Sequence, residues 1–199
     1  MRTLLLLPLI ACSASDDTEL PEDTSTEIIA EEPGFLPYAE DGESVEEVDA
    51  PRYLGLWYEI ATTPSQQQSF CSGTTAKYSL ADDGENIDVL NRCYVGGLDG
   101  NRNRANAIAR PLDDTYARLM VDFGYGFEAP YTIIELYDDP SADEYSYAAV
   151  SSNGVSYWIL SRTPQMPSEM YDQILDRIDE RGGDSSRLIE TEQPIDAEL

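Results

Sequence analysis

Residues 53–61 read Tyr-Leu-Gly-Leu-Trp-Tyr-Glu-Ile-Ala, and the fold of the chain follows from this segment outward. Bulky and small side chains alternate along it with a period of two, which predicts a β-strand. Gly55 allows another part of the backbone to come close, and the indole of Trp57 can plug one end of a sheet that closes on itself. The segment therefore predicts the first strand of a closed sheet.

A second segment, residues 157–164, reads Tyr-Trp-Ile-Leu-Ser-Arg-Thr-Pro and predicts a strand that ends in Arg162 before a turn. A guanidinium stacked on Trp57 would tie the first strand to the last long one. In this order the two segments resemble the lipocalins, and specifically the bacterial outer-membrane branch, whose most specific marks they carry. The resemblance covers roughly residues 50–194 and implies that Trp57 and Arg162 act as a structural clasp that closes the barrel floor.

Short alternating runs separated by turn residues fill the chain between and around these segments, a pattern typical of an antiparallel barrel or sandwich. The further runs are 74–80, 87–93, 104–109, 117–123, 131–137, 145–151 and 155–161. With the resemblance, they predict an all-β fold, an eight-stranded antiparallel up-and-down lipocalin β-barrel with one C-terminal α-helix packed outside. This domain is expected to span residues 50–194, with a short tail at 195–199.

The helix is expected after Pro167, because apolar side chains there recur at i, i+3, i+4 and i+7. They are Tyr171, Ile174, Leu175 and Ile178. The polar face is acidic, the wrong sign for a membrane-surface helix, so we expect the helix to pack on the barrel wall. Residues 187–189 are expected to add a short last strand.

The charge of the chain excludes whole classes of function. Acidic residues outnumber basic ones by 39 to 12, the formal net charge is −27, and Lys77 is the only lysine. Nucleic acid is therefore not expected as a partner, and adsorption to anionic headgroups by net charge is disfavoured. The chain also has no histidine, the commonest general base and a frequent metal ligand. We accordingly predict no catalytic site, no metal site and no cofactor.

Residues 1–11 combine Arg2 with a leucine-rich run and predict an export signal. The four residues Leu-Ile-Ala-Cys that end at Cys12 resemble the lipobox of bacterial lipoproteins, which implies lipidation of Cys12. An ordinary signal peptide with an incidental cysteine is the alternative. In the family's sorting rule, Ser13 in the next position implies the outer membrane, with the protein anchored on the periplasmic face.

Residues 12–49 are expected to form a lipidated, acidic, disordered tether. From Ser13 to Asp49 there are fourteen acidic residues and no basic one, and no sustained period predicts an element. Whether Phe35, Leu36 and Tyr38 dock on the barrel is open at this level.

Cys71 and Cys93 remain as an even pair if Cys12 is lipidated. A hairpin about residues 83–84 places Cys93 opposite Thr74, three residues from Cys71, so only a bulge or bend could bring the thiols together. Comparable bacterial lipocalins often have cysteines here, and the resemblance therefore implies a disulfide. Two free thiols are the alternative.

A small antiparallel barrel can hold one elongated apolar ligand inside. If Trp57 points inward, alternation sends Glu59 and Ala61 inward too, and Glu59 becomes a candidate polar anchor because an inward carboxylate must be paired or protonated. The rest of the predicted ligand-binding wall is Ala76, Tyr78, Val89, Ala105, Ala107, Leu119, Val121, Phe123, Ile133, Tyr147, Ala149, Trp158 and Leu160. Each residue alone is equally compatible with core filling, and only the set argues for a cavity.

Three functions compete on this fold. The first is a lipid-anchored envelope lipocalin that binds or carries a fatty acid, a lysophospholipid or a similar amphiphile. The second is an enzyme, against which the lack of histidine and of any nucleophile-base spacing argues. The third is a structural envelope lipoprotein with a filled barrel.

Metabolic labelling tests the lipid anchor. We expect radiolabelled palmitate to mark the wild-type chain and not the Cys12→Ser variant, because acylation requires the cysteine that ends the lipobox. A chain with both Cys71→Ser and Cys93→Ser is the matched control and should keep the label. Equal labelling of the wild type and Cys12→Ser would contradict the lipoprotein assignment.

Overall fold

The computed structural model describes residues 32–65, 70–124 and 126–194. The strands in these ranges are β1 Gly34–Phe35, β2 Gly55–Thr62, β3 Cys71–Leu80, β4 Ile87–Val95, β5 Asn101–Pro111, β6 Arg118–Asp122, β7 Glu128–Asp138, β8 Tyr147–Ser152, β9 Ser156–Ser161 and β10 Ile189–Glu190. The helices are α1 Ala50–Tyr53 and α2 Ser168–Glu180, and a 3-10 turn covers Ser185–Arg187. Cys12 and the predicted export signal lie outside the described residues.

Strands β2 to β9 form a closed antiparallel barrel. Each pairs with the next strand along the chain, and β9 pairs back with β2. Full closure pairs the backbone groups that an open sheet would leave at its edges. The two short strands extend this sheet, β1 beside β7 and β10 beside β2. The predicted eight-stranded up-and-down barrel is confirmed.

A bulge in β2 changes which side chains face inward. The register between β2 and β9 shifts between Glu59 and Ala61. Glu59 lies opposite Leu160 of the inner core, whereas Ala61 packs in the outer cluster with Ile159. The expectation that Ala61 faces inward is therefore wrong, because one extra residue reverses the alternation of side chains beyond it.

Helix α2 packs on the outside of the barrel, as the apolar spacing predicts. Ile174 and Ile178 are fully buried and join Ala61, Ile134 and Ile159 of the outer wall. Burying an isoleucine side chain contributes roughly 1.5–3 kcal/mol, which is enough to hold a helix whose other face is acidic. No helix in the described ranges is both long and apolar enough to cross a bilayer.

Residues 32–49, which we call the N-terminal strap, lie against the barrel. Phe35 pairs with Tyr137 of β7, and the N–H of Val45 donates to the carbonyl of Ile133 at 3.0 Å. Val45 and Val48 are buried in the inner core cluster. The prediction of a disordered tether is therefore wrong for this part of the segment. The acidic composition of the segment gave no sign that two valines are buried. These valines dock the strap, although most of its acidic side chains remain exposed.

A buried carboxylate ties the strap, the sheet and the helix together. Glu135 of β7 is 0 % exposed, and its oxygens accept hydrogen bonds from the Tyr38 hydroxyl at 2.8 Å and from Nε of Arg177 at 2.5 Å. Arg181 adds an ion pair at 3.8 Å, and its guanidinium lies 4.2 Å from the Tyr38 ring centre. A buried charge is tolerated only with such partners, so the three elements stabilise one another.

Arg162 closes the lower end of the barrel. Its guanidinium carbon lies 3.8 Å from the centre of the Trp57 ring, and the guanidinium donates four hydrogen bonds to backbone carbonyls. The acceptors belong to Leu56, Tyr145, Arg52 and Tyr53. Gly55 has a φ of +103°, and a Cβ there would lie 3.1 Å from Nη1 of Arg162, so the glycine makes room for the cation. The indole N–H of Trp57 donates to the Tyr53 carbonyl at 2.8 Å.

The disulfide between Cys71 and Cys93 is present, with a Cα–Cα distance of 5.4 Å. The register between β3 and β4 shifts between Ser72 and Thr75, which supplies the bulge that the spacing required. Gly73 lies in this bulge with a φ of +59°, a conformation that favours glycine. The bond closes a loop with a sequence separation of 22 residues, worth roughly 3 kcal/mol by chain entropy.

A double-mutant cycle tests the clasp. Trp57→Ala removes a fully buried ring and should lower the free energy of unfolding by roughly 3–5 kcal/mol. Arg162→Ala should cost less, and the two losses should not add, because each change breaks the same contact. Denaturant unfolding measures all three variants. Arg187→Ala, which removes an exposed guanidinium bonded to the Val155 carbonyl, is the control that should add independently to Trp57→Ala. Additive losses for Trp57 and Arg162 would contradict the coupling.

Candidate functional site

The inner wall of the barrel brings together ten of the predicted ligand-binding residues. Seven of these are buried in the inner core cluster, and three are partly buried against it. The buried ones are Tyr78, Val89, Ala107, Leu119, Val121, Ile133 and Leu160, and the partly buried ones are Ala76, Phe123 and Trp158. Their surface is apolar and combines aromatic rings with alanines, which suits a ligand with a hydrocarbon chain.

Tyr147 and Ala149 do not belong to this wall. Both lie in the outer cluster under α2, so their assignment to the ligand site is wrong. Directly opposed residues of an antiparallel pair share a face, and Trp158 is opposite Val150. The inward residues of β8 are therefore Ala148 and Val150, which the inner cluster contains. Alternation counted from Tyr145 gives the wrong inward residues, because Tyr145 precedes β8.

Ala105 lies near the mouth of the barrel. It shares a strand face with Ala107 but is exposed, whereas Ala107 is buried. The mouth is the end opposite Arg162, where the 96–100 turn connects β4 to β5. The inner face of β5 thus passes from solvent at Ala105 to the core at Ala107, which marks the side from which a ligand could enter.

Three tyrosine hydroxyls form a polar cluster among the apolar side chains. The hydroxyl of Tyr131 lies 2.7 Å from that of Tyr53 and 2.9 Å from that of Tyr78. Burial raises the pKa of Tyr78 to about 12 and holds the pKa of the other two well above its usual value, so all three stay neutral. Three hydroxyl protons serve two mutual hydrogen bonds, which leaves one O–H to donate elsewhere. Tyr53 and Tyr131 were missed in the sequence, because Tyr53 precedes the first strand and Tyr131 looked like one of many strand tyrosines.

Glu59 is a second polar group of the interior. It is 5 % exposed, and one carboxyl oxygen accepts a hydrogen bond from the Thr191 hydroxyl at 2.7 Å. Burial raises the pKa of Glu59 to about 7, and the hydrogen bond from Thr191 offsets part of this rise. The carboxyl group can therefore gain or lose a proton near neutral pH. The hydrogen bond from Thr191 reaches Oε1 and not Oε2.

The C-terminal segment that follows β10 holds Glu59 in place. Gln193 donates from Nε2 to the carbonyls of Glu59 and Thr74, at 2.7 and 2.9 Å. The N–H of Gly73 donates to the Glu192 carbonyl, so this segment bonds to β2 and β3 together. The sequence carries no signal for this role, since residues 191–193 show no period and no motif. In the described ranges, no three acidic or cysteine side chains gather as a metal site would require.

Residues 48–193 match the model of the Lipocalin-like domain family. The chain belongs to the lipocalin family. The outer membrane lipoprotein Blc of Vibrio cholerae is 35 % identical over 162 residues, which cover 80 % of this chain and 91 % of that protein. Blc of Escherichia coli K12 is 36 % identical over 154 residues, or 75 % of this chain and 82 % of that one. These relatives place this lipocalin in the bacterial outer-membrane lipoprotein branch.

Solved structures agree with the fold of this lipocalin. Insecticyanin from Manduca sexta superposes with a TM-score of 0.60 at 20 % identity, over 82 % of this chain and 90 % of that one. Lobster apocrustacyanin A1 gives a TM-score of 0.58 at 21 % identity, over 73 % and 80 %. At these identities the likeness concerns the fold alone.

The pKa of Glu59 makes stability depend on pH. Because the pKa is raised from 4.5 to about 7, the folded protein binds more protons than the unfolded chain between these values. The contribution of Glu59 is fully present below pH 4.5 and is lost as pH rises through about 7. Glu59→Gln should match the wild type at the acidic end and exceed it above neutrality by about 3 kcal/mol.

Denaturant unfolding of both proteins across this pH range measures the difference. Glu190→Gln removes an exposed carboxylate from neighbouring β10 and serves as the control that keeps the wild-type profile. Parallel profiles for the wild type and Glu59→Gln would show that Glu59 does not titrate between the two pH limits.

Proposed function

We propose that this protein is a lipid-anchored envelope lipocalin that binds a fatty acid, a lysophospholipid or a similar amphiphile inside its barrel. The observation that carries the proposal is the pairing of an apolar inner wall with two buried polar groups, Glu59 and the tyrosine cluster. An amphiphile needs both surfaces, because its chain must leave water and its polar end must keep hydrogen bonds.

The apolar wall provides most of the affinity. Each methylene group moved from water into the barrel contributes about 0.8 kcal/mol before ordering costs, so a long acyl chain suffices for useful binding. Trp158 is partly buried against the inner cluster and still reachable, which suits a side chain that a ligand covers. Trp57 is fully buried under Arg162 and serves the floor.

Glu59 offers a way to distinguish ligand classes. When protonated, it can donate a hydrogen bond to a carboxylate or phosphate, and when ionised, it repels either anion. The affinity for a fatty acid should therefore fall as pH rises above about 7, the pKa of Glu59 in the folded protein. A ligand whose buried end is neutral should lack this dependence.

The N-terminal sequence and the relatives support the proposed location in the cell envelope. Two relatives are named outer membrane lipoproteins, and the residues that end at Cys12 resemble a lipobox. By the lipoprotein sorting rule, Ser13 next to the cysteine supports an anchor in the outer membrane, on its periplasmic face. A lipocalin held there would meet amphiphiles released from either membrane.

A filled barrel is the second candidate function. It is favoured by the fully buried side chains that already meet inside the barrel, such as Leu119, Ile133 and Val150. Such a protein would serve as a structural envelope lipoprotein and would bind another envelope protein. Its purified form would yield no lipid on extraction and would bind none.

Native mass spectrometry of the delipidated protein with a panel of lipids tests the proposal. We expect one bound amphiphile per chain and, in a fluorescent fatty-acid assay, about a tenfold loss of affinity for Trp158→Ala, which removes apolar contact worth somewhat over 1 kcal/mol. Tyr171→Ala, which changes a half-buried aromatic residue of the outer cluster, is the control and should bind normally.

Absence of any bound lipid in the native spectra would support the filled barrel instead. Turnover of a lipid in the same preparation would show that the protein is an enzyme. Normal binding by Trp158→Ala, with loss of binding by a folded Trp57→Ala, would reverse the division between pocket and floor.

A further inference from the structure

Three arginines stand together on the outer wall near the mouth. Arg92 of β4 lies directly opposite Arg104 of β5, and Arg102 follows two residues away on the same face as Arg104. All three are exposed. Directly opposed like charges destabilise a sheet, so an anion bound between them would stabilise it.

The part of the chain that the structure describes does not supply that anion. Among the described residues, no carboxylate oxygen lies within 4.0 Å of these three guanidinium groups. The same carboxylate-rich chain, with 39 acidic residues, pairs six other arginines. They are Arg52, Arg110, Arg118, Arg162, Arg177 and Arg181. Among the described arginines, Arg187 also lacks a carboxylate within 4.0 Å, but it donates to the Val155 carbonyl at 3.0 Å. Arg92, Arg102 and Arg104 are therefore the arginines without a carboxylate partner that share one surface.

The surface around the three arginines is also concave. The three arginines line a depression of about 280 Å³ that includes Thr75 and Tyr94. The guanidinium of Arg102 lies 5.6 Å from the centre of the Tyr94 ring, and the disulfide at Cys93 stiffens the strand beneath. Stacking of this kind orients a guanidinium before its ligand arrives.

We propose that Arg92, Arg102 and Arg104 bind phosphate headgroups of a phospholipid surface and turn the mouth of the barrel toward the bilayer. Guanidinium groups match phosphate through paired N–H donors, which makes clustered arginines the usual recognition element for it. This inference concerns the outside of the barrel and stands apart from the ligand proposed for the interior.

Apolar side chains at the same end favour a lipid surface over a soluble phosphate. Phe70 is 69 % exposed and Phe127 is 61 % exposed, and both lie in connections at the mouth. Val95 and Val155 at this end are exposed as well. An anionic headgroup layer next to hydrocarbon offers partners to both kinds of side chain, which a free anion does not.

The net charge of −27 disfavours contact with an anionic membrane, but it acts at a different range from the arginines. The Debye length is about 30 Å at 0.01 M salt, about 8 Å at 0.15 M and about 3 Å at 1 M. At low salt the whole acidic chain repels the surface, and at high salt the arginine contacts themselves are screened. Binding should therefore be strongest at intermediate salt.

Vesicle co-sedimentation of the full chain with Cys12→Ser, which removes the anchor, tests the proposal. We expect salt-dependent binding to phosphatidylglycerol-containing vesicles with a maximum near 0.15 M. Arg104→Gln should weaken binding about fivefold, and the triple change of Arg92, Arg102 and Arg104 to Gln about a hundredfold. The matched control is Arg118→Gln, which alters charge equally at the opposite end of the barrel and should bind normally.

Melting temperatures show whether the variants are folded. The triple variant should be at least as stable as its parent, because the substitutions remove repulsion between the arginines. No vesicle binding by the parent chain, or equal binding by the triple variant, would overturn the proposal. Titration with inorganic phosphate is the second arm. Arginine-dependent phosphate binding without vesicle binding would also overturn it, and would assign the site to a soluble anion.

Discussion

Closure of the barrel between β2 and β9 is the constraint on which the other features depend. Arg162 stacks on Trp57 at this seam and donates hydrogen bonds to four backbone carbonyls. A cation with five donors in one plane is suited to such a position, because it fills hydrogen bonds and covers an aromatic face together. With one end sealed in this way, the opposite end is left as the route into the interior.

The polar groups inside the barrel have hydrogen-bond partners. Two hydrogen bonds join the three tyrosine hydroxyls, and Glu59 is held by a C-terminal segment that bonds to both β2 and β3. Each group would be costly if it were buried alone. Their partners come from distant parts of the chain, so folding of the whole barrel is required before either polar group can be kept inside.

Charge has different consequences at different distances in this protein. Over the whole chain the acidic excess governs solubility and long-range repulsion. At short range, Glu135 holds Arg177 of α2 and Arg181 at its C-terminal end against the strap. The three arginines on β4 and β5 present positive charge beside the mouth. Net charge therefore predicts how the protein behaves far from a membrane surface. In the proposed membrane contact, local charge decides which side of the protein faces the membrane.

Periodicity alone predicts the strand runs and the amphipathic helix, because both patterns are local properties of the amino-acid order. The eight-stranded barrel and the clasp role of Trp57 and Arg162 also needed the family resemblance. The disulfide needed the family resemblance, since its bulge is invisible in a hairpin count. The three-dimensional fold was required to show that Ala61, Tyr147 and Ala149 face the helix, since a bulge or a strand start shifts alternation by one residue. It also decided that the strap docks, that Glu59 meets Thr191 and that three arginines share one surface. Such contacts join residues far apart along the chain, and composition and spacing carry no information about them.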